Sequence, residues 1–338
     1  MPMSPAMPRR QVTAALGIVL VAALAATAFV DAARSGQGQA ARSNLTLIAP
    51  AAAGGGWDLV AREAQQAMRT GNIVNTVQVV NIPGAGGTIG LNQLAGLSGE
   101  GTTMMITGTV MLGGISQSNS PLSLQDTTPI ARIAEDFEVI AVPADSPYRT
   151  LEDLLVAWKA NPAGLPIGGG SAGGIDHMVA AQMAQARGIP VEQLVYTPHP
   201  GGGELTLSLL STAAGTVGVG ISGYNDFRDL VEAGQLRVLA VVAPERLEGV
   251  DAPTMDELGL GSVDLVNWRG VVAPAGIEPA ERAELEQIVR EMVGTESWDE
   301  SVDRNRWVRS EIYGDGFGDF LGTEQTRIDE LLKELELA

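Results

Sequence analysis

Residues 45–97 read LTLIAPAAAGGGWDLVAREAQQAMRTGNIVNTVQVVNIPGAGGTIGLNQLAGL, and one structural unit occurs in this stretch twice. Leu45-Thr46-Leu47-Ile48 is a short apolar run that predicts a strand. Gly54-Gly55-Gly56-Trp57-Asp58 is its loop, and Leu59 to Met68 places Leu59, Val60 and Ala64 at helical spacing behind an expected Asp58 N-cap. Thr76 to Val80 then predicts a second strand, Asn81-Ile82-Pro83-Gly84-Ala85-Gly86-Gly87 a second glycine loop, and Thr88 to Leu97 a second helix. The alternation of short β-branched runs with longer helical patterns continues along the chain, which predicts an α/β fold with largely parallel strands.

Tandem strand–glycine–helix units have a chemical use. The first backbone N–H groups of a helix lack internal partners and carry the positive end of its dipole. Glycine lets an anion approach them closely, so two helix starts converging on one point would hold a carboxylate without lysine or arginine. The alternative is that these are ordinary turn glycines.

At 338 residues the chain exceeds what one core usually organises, so two packed domains are expected. The formal charge of −19 argues against a nucleic-acid or anionic-membrane surface role. With no cysteine there can be no disulfide framework, thiolate metal site or cysteine nucleophile. At the N-terminus, Arg9 and Arg10 precede an uncharged apolar run from Val12 to Val30 that ends near the small-x-small stretch Ala26-Thr27-Ala28. This predicts a signal peptide over residues 1–28 and a linker over 29–43, in an exported, periplasmic or extracytoplasmic protein. Retention of the run as an N-terminal anchor is the alternative.

A third glycine cluster, Gly168 to Gly174, invites enzyme readings. Gly168, Gly170 and Gly173 satisfy the dinucleotide fingerprint, but the following strand ends in Tyr-Thr-Pro and not in the acidic residue that a ribose needs. Ser171 sits in a nucleophile-elbow pattern, yet the only histidines, His177 and His199, do not follow a candidate acid late in the chain as the hydrolase order requires. No Gly-Lys-Ser/Thr occurs, so a P-loop is absent. Asp176, His177 and His199 would make a poor metal-ligand set.

Several spaced blocks together carry a family resemblance. They are Gly54-Gly55-Gly56-Trp57-Asp58 with Arg62, Val80 to Gly87 with Gly90, Gly170-Ser171-Ala172-Gly173-Gly174 with His177, and Tyr196 with Gly201-Gly202-Gly203-Glu204. Gly234 to Val241, Glu245-Arg246, Ala252-Pro253-Thr254, Glu257-Leu258-Gly259, Trp268-Arg269-Gly270 and Ala273-Pro274-Ala275-Gly276 complete the series. In this order they resemble the substrate-binding proteins of tripartite tricarboxylate transporters, also called TctC or Bug receptors. The resemblance implies a two-lobed periplasmic-binding-protein fold of type II, each lobe a mainly parallel sheet flanked by helices. Lobe 1 is expected at 44–142 plus 243–338 and lobe 2 at 143–242.

The resemblance further implies a receptor and not an enzyme. It would close on a small carboxylate (a tricarboxylate, dicarboxylate or aromatic acid) and deliver it to the membrane components of such a transporter. It would do so as a monomer, with no cofactor, metal or nucleic acid. A carboxylate sensor for a signalling partner is the alternative, and a serine hydrolase using Ser171 the third reading. The expected ligand contacts in lobe 1 are Gly54, Gly55, Gly56, Trp57, Asp58, Gly84, Ala85, Gly86 and Gly87, with Thr107, Gly108 and Thr109 at the end of a third strand. In lobe 2 they are Ser171, Ala172, Gly173, His177, Gly201, Gly202, Ser222 and Tyr224. Family members often have proline before the first glycine run and threonine or serine after it, where this chain has Ala53 and Trp57. Trp57 would either cap a larger or aromatic ligand or anchor its helix by packing. Asp226 stands slightly later than the acidic residue many relatives carry near position 222, which puts an amine-recognition role for it in doubt.

Overall fold

The computed structural model describes residues 40–211, 213 and 216–337. The expected signal peptide and residues 29–39 of the expected linker lie outside the described residues. The chain opens with β1 (Asn44–Ala49), α1 (Gly56–Thr70), β2 (Thr76–Asn81), α2 (Thr88–Ala95), β3 (Thr103–Gly108), α3 (Thr109–Gln117) and β4 (Thr128–Asp136). After Phe137 it continues through β5 (Glu138–Pro143), α4 (Leu151–Ala160), β6 (Ile167–Gly169), α5 (Ile175–Ala186), β7 (Tyr196–Pro198), α6 (Gly202–Leu210), β8 (Val219–Gly223), α7 (Tyr224–Glu232) and β9 (Leu236–Val242). It closes with β10 (Asn267–Ala273), α8 (Pro279–Val293), α9 (Glu296–Asn305), β11 (Val308–Tyr313) and α10 (Gly314–Glu334).

Two sheets result, one ordered β11-β4-β10-β3-β1-β2 and the other β7-β6-β8-β5-β9. They are mixed, where mainly parallel sheets were expected. β1 runs parallel to β2 and β3, and β6 parallel to β7 and β8, but β4 and β10 are antiparallel, as are β5 and β9. The reason is the route of the chain. It passes from the first sheet to the second along β4 and β5 and returns from β9 to β10, so the outgoing and returning strands lie side by side and must run in opposite directions.

The outward crossing falls at Phe137. β5 therefore belongs entirely to the second sheet, and the expected border at 142/143 would split it from its partners β8 and β9. On the return, Val241 N–H donates to Pro253 O and Met255 N–H to Val241 O. This keeps Leu247, Val250 and Ala252 packed on the second sheet before Leu260, Val263 and Leu265 join the first core.

Both glycine loops follow the carboxyl ends of adjacent parallel strands, with Leu45 opposite Val77 and Leu47 opposite Val79. In an α/β sheet this is the edge where ligands bind. Lobe 2 presents the corresponding ends of β6 and β8. In the first lobe the periodicity of the C-terminal segment is satisfied by burial of Ile328, Leu332 and Leu335. They belong to α10, which begins at Gly314 and ends on Leu335 as its C-cap. Its first turns bring Phe317 and Phe320 edge-on to Trp268 of β10, at centroid distances of 5.9 and 5.3 Å. Phe317 is fully buried. Phe317→Ala is expected to leave a cavity and destabilise the protein by about 3–5 kcal/mol, measured as a lower urea midpoint with an unchanged slope.

Candidate functional site

A cleft of about 750 Å³ lies between the two sheets. Of the residues expected at a ligand, Gly55, Gly56, Trp57 and the run Gly84 to Gly87 line it from lobe 1, and Ser171, Ala172, Gly201, Gly202 and Ser222 from lobe 2. Gly54, Asp58, Thr107, Gly108, Thr109, Gly173, His177 and Tyr224 are not among the lining residues.

Asp58 is not the helix N-cap. Gly55, in extended backbone, takes that place, and Asp58 stands in the first turn. From there its carboxylate joins the two glycine loops. Oδ2 accepts from Gly54 N–H and Arg62 Nε, both at 2.8 Å, and Oδ1 accepts from Asn81 Nδ2 at 2.9 Å. Asn81 Nδ2 also donates to Ala51 O. Burial pushes the Asp58 carboxyl up, but the donors Arg62, Gly54 and Asn81 outweigh it and hold the group below its ordinary value.

The second loop is tightly wound. Gly84, Ala85, Gly86 and Gly87 all have positive φ, and for Ala85 at 49° this is a sparsely populated conformation. At Gly87 a Cβ would stand 2.7 Å from the Trp57 ring. Trp57 is 6% exposed, so most of its ring is wall material wedged beside Gly87, with little left free to cap a ligand.

Thr107 and Thr109 are fully buried. Thr107 Oγ1 contacts Met111 Sδ at 3.4 Å, and Thr109 Oγ1 donates to Val266 O at 2.8 Å while accepting Trp268 N–H at 3.3 Å. β3 is an inner strand between β1 and β10, and a Cβ on Gly108 would lie 3.1 Å from Trp57 Nε1. The expected hydroxyl donors are therefore turned inward, Thr107 onto α3 and Thr109 onto the returning chain.

In lobe 2 the third glycine cluster is a turn into α5. Gly170 N–H donates to Asp176 Oδ2 at 2.6 Å, and Gly173 N–H donates to His177 Nδ1 at 3.1 Å. The His177 ring stacks on Tyr196 at 4.2 Å, and burial lowers its pKa to about 4, so it is a neutral acceptor at physiological pH. Tyr224 packs in the lobe 2 core.

Sequence reasoning missed the floor of the cleft, where the crossing strands meet. Arg269 and Asp136 form a buried ion pair at 2.7 Å. Asn267 Nδ2 donates to Glu138 Oε1 at 2.7 Å, and Ser222 Oγ donates to Asp226 Oδ2 at 2.6 Å. Burial, then the charges of Asp176 and Asp136, raises the Glu138 carboxyl well above the usual range. Burial raises Asp226 to about 6 against the opposing Ser222 hydrogen bond. Two signals for this floor were present in the sequence. Acidic Glu135, Asp136 and Glu138 interrupt an apolar strand run, and Asn267 and Arg269 interrupt another.

Comparison with known proteins gives a consistent picture. The family model described as the tripartite tricarboxylate transporter family receptor matches residues 60–336. The UPF0065 protein in the tcbD-tcbE intergenic region of Pseudomonas sp. strain P51 is 29% identical over 236 residues, covering 69% of this chain and 68% of that protein. A ligand-free TctC solute binding protein from Polaromonas is similar in structure, with a TM-score of 0.63 and 26% identity over 86% of this chain and 98% of the other. The R. palustris protein Rpa4515, solved with adipate, has a TM-score of 0.76 at 22% identity, over 87% of this chain and 97% of the other.

The Asp58 staple yields a prediction. Asp58→Ala removes the acceptor of Gly54 N–H, of Arg62 Nε and of one Asn81 Nδ2 hydrogen and is expected to cost about 1–3 kcal/mol in urea unfolding at neutral pH. Because the folded protein holds this carboxyl below its unfolded value, the contribution is complete above the unfolded pKa and lost as pH falls through the folded one. The difference between variant and parent should therefore shrink in acid.

Proposed function

We propose that this chain, which belongs to the tripartite tricarboxylate transporter receptor family, is an extracytoplasmic receptor that captures a small organic carboxylate between its lobes. It delivers that acid to the membrane components of a tripartite tricarboxylate-type transporter. One observation carries the reading: two helix starts, each preceded by a glycine loop, line the same cleft and are tied to each other by Asp58 and Asn81.

The amides that would hold the anion can be narrowed by elimination. Gly54 N–H is spent on Asp58, Gly55 N–H on Ala52 O, Gly87 N–H on Gly84 O and Thr88 N–H on Ala85 O. Gly56, Trp57, Gly84, Ala85 and Gly86 are left with amides on the cleft wall, and among them Gly56, Ala85 and Gly86 are the proposed carboxylate donors. Helix N-termini favour an anion at this place without any cationic side chain. Adipate, found in the R. palustris neighbour, is an acid of this class, but that likeness supplies the fold; the ligand class proposed here rests on the loops.

Lobe 2 would close the cleft with Ser171, Ala172 and the Gly201-Gly202 turn, which already line it. Such closure is a population shift toward the state in which ligand bridges both lobes, and it needs neither cofactor nor covalent chemistry. The test is a thermal-shift panel of mono-, di- and tricarboxylates and aromatic acids on the purified protein. A binding acid present at a hundred times its Kd is expected to add about 2.7 kcal/mol to stability and raise Tm. Ala85→Asp, which adds a negative charge on the cleft wall at a left-handed position that aspartate tolerates, should abolish that rise. Absence of a shift with every acid, or a shift that the variant retains, would contradict the reading.

A further inference from the structure

We infer that the floor of the cleft reads a protonated amine, so that the captured molecule is an aminocarboxylate and not a simple acid. This rests on the carboxylate reading above and adds a second recognised group to it. The floor is lined by Glu138, Asp176 and Asp226, and the donors around these carboxyls are already committed. Asn267 Nδ2 is spent on Glu138 Oε1, Gly170 N–H on Asp176 Oδ2 and Ser222 Oγ on Asp226 Oδ2. Asn267 Oδ1 is buried without a partner on a residue 3% exposed, and the Glu138 and Asp176 carboxyls, 0% and 7% exposed, share a hydrogen bond through one proton, so removing that proton leaves only acceptors facing one another. An ammonium group supplies three hydrogens and a positive charge to such a place.

Arg269 also lines the floor, and its Nε is a buried donor without a partner, but Asp136 already balances its charge. A second ligand carboxylate there would meet three carboxyl groups and no unbalanced cation, and like charges repel strongly where water is excluded.

The ionisable groups around Glu138 explain how the site rests without ligand. They are Asp136 two residues back across Phe137, Asp176 from α5 and Arg269 from β10. Asp226 from α7 and Tyr196, whose hydroxyl donates to Gly170 O, complete the floor. Burial and the neighbouring anions keep a proton on Glu138. An arriving ammonium takes the place of that proton. Glu138 ionises, and the proton leaves to solvent. Affinity for an aminocarboxylate should then rise with pH as the floor ionises and fall on acidification, whereas an amine-free acid should show the opposite trend or none.

Calorimetric titration of the purified protein tests this with probes that differ only in the amine: succinate and aspartate, glutarate and glutamate, pentanoate and 5-aminopentanoate, 3-phenylpropanoate and phenylalanine, with pentylamine as the acid-free control. The expected result is that the tightest binder carries both groups and exceeds its amine-free partner by about tenfold or more. Its binding heat at pH 7 should vary with buffer ionisation enthalpy in the sense of proton release. Glu138→Gln should bring the two members of that pair to within a few fold of each other without abolishing binding of the acid. An amine-free acid as the tightest binder, or proton uptake with the aminocarboxylate, overturns the inference and leaves the carboxylate reading standing. Tightest binding of pentylamine would instead overturn the carboxylate reading while keeping the amine site. No binding by any probe overturns both. The buffer dependence is read on the unaltered protein, so a Glu138 variant that fails to fold does not remove the test.

Discussion

The ion pair between Arg269 and Asp136 joins the two strands that carry the chain between the lobes, with the side chains 6% and 2% exposed. Removing one partner of such a pair strands a buried charge, which costs about 3–5 kcal/mol, so both residues are fixed in place. Geometry makes the pair more than a local tie. Asp136 ends β4, just before the crossing at Phe137, and Arg269 lies on β10, just after the return. The guanidinium also lies under the first glycine loop, since a Cβ on Gly56 would come within 3.1 Å of its Nη2. One interaction thus spans the outgoing strand, the returning strand and the start of α1. The mixed sheets, the cleft between them and the buried polar floor all follow from this paired crossing.

A chain of net charge −19 is an unexpected partner for an anion until the scale of each effect is compared. Surface charges are screened within about 8–10 Å at physiological ionic strength, whereas helix N-terminal amides act at hydrogen-bond distance in a partly dry cleft. The wall and the floor divide the recognition between them. The wall offers backbone donors on glycine loops that leave room for close approach. The floor offers acceptors, and the charge of its Arg269 is already balanced by Asp136.

Much of this was legible in the sequence. The β1–α1 and β2–α2 units were readable because glycine runs interrupt two clean changes of periodicity, and the alternation that follows identified the α/β class. The spaced blocks around Gly54, Gly84, Gly170 and Trp268 resembled the family to which the chain belongs. Other features were hidden for physical reasons. The crossing at Phe137 lies in one extended run, and nothing local marks where a strand changes sheets. Thr107 stands near the end of an inner strand with its hydroxyl on Met111 one helical turn ahead, and Thr109, which starts α3, bonds Val266 O, a contact set by the long-range placement of the chain entering β10. Glu138, Asn267 and Arg269 are far apart in sequence and meet only because the chain crosses twice. Their polar presence in apolar strands was the available clue, but its meaning depends on tertiary pairing.

A crystal structure of the protein with its tightest-binding acid tests the central claim most directly, because it places the carboxylate. The account predicts one carboxylate group within about 3.2 Å of amide nitrogens at Gly56, Ala85 and Gly86, with lobe 2 closed over it. A carboxylate found on Arg269 at the floor, with these loop amides left to water, would contradict it.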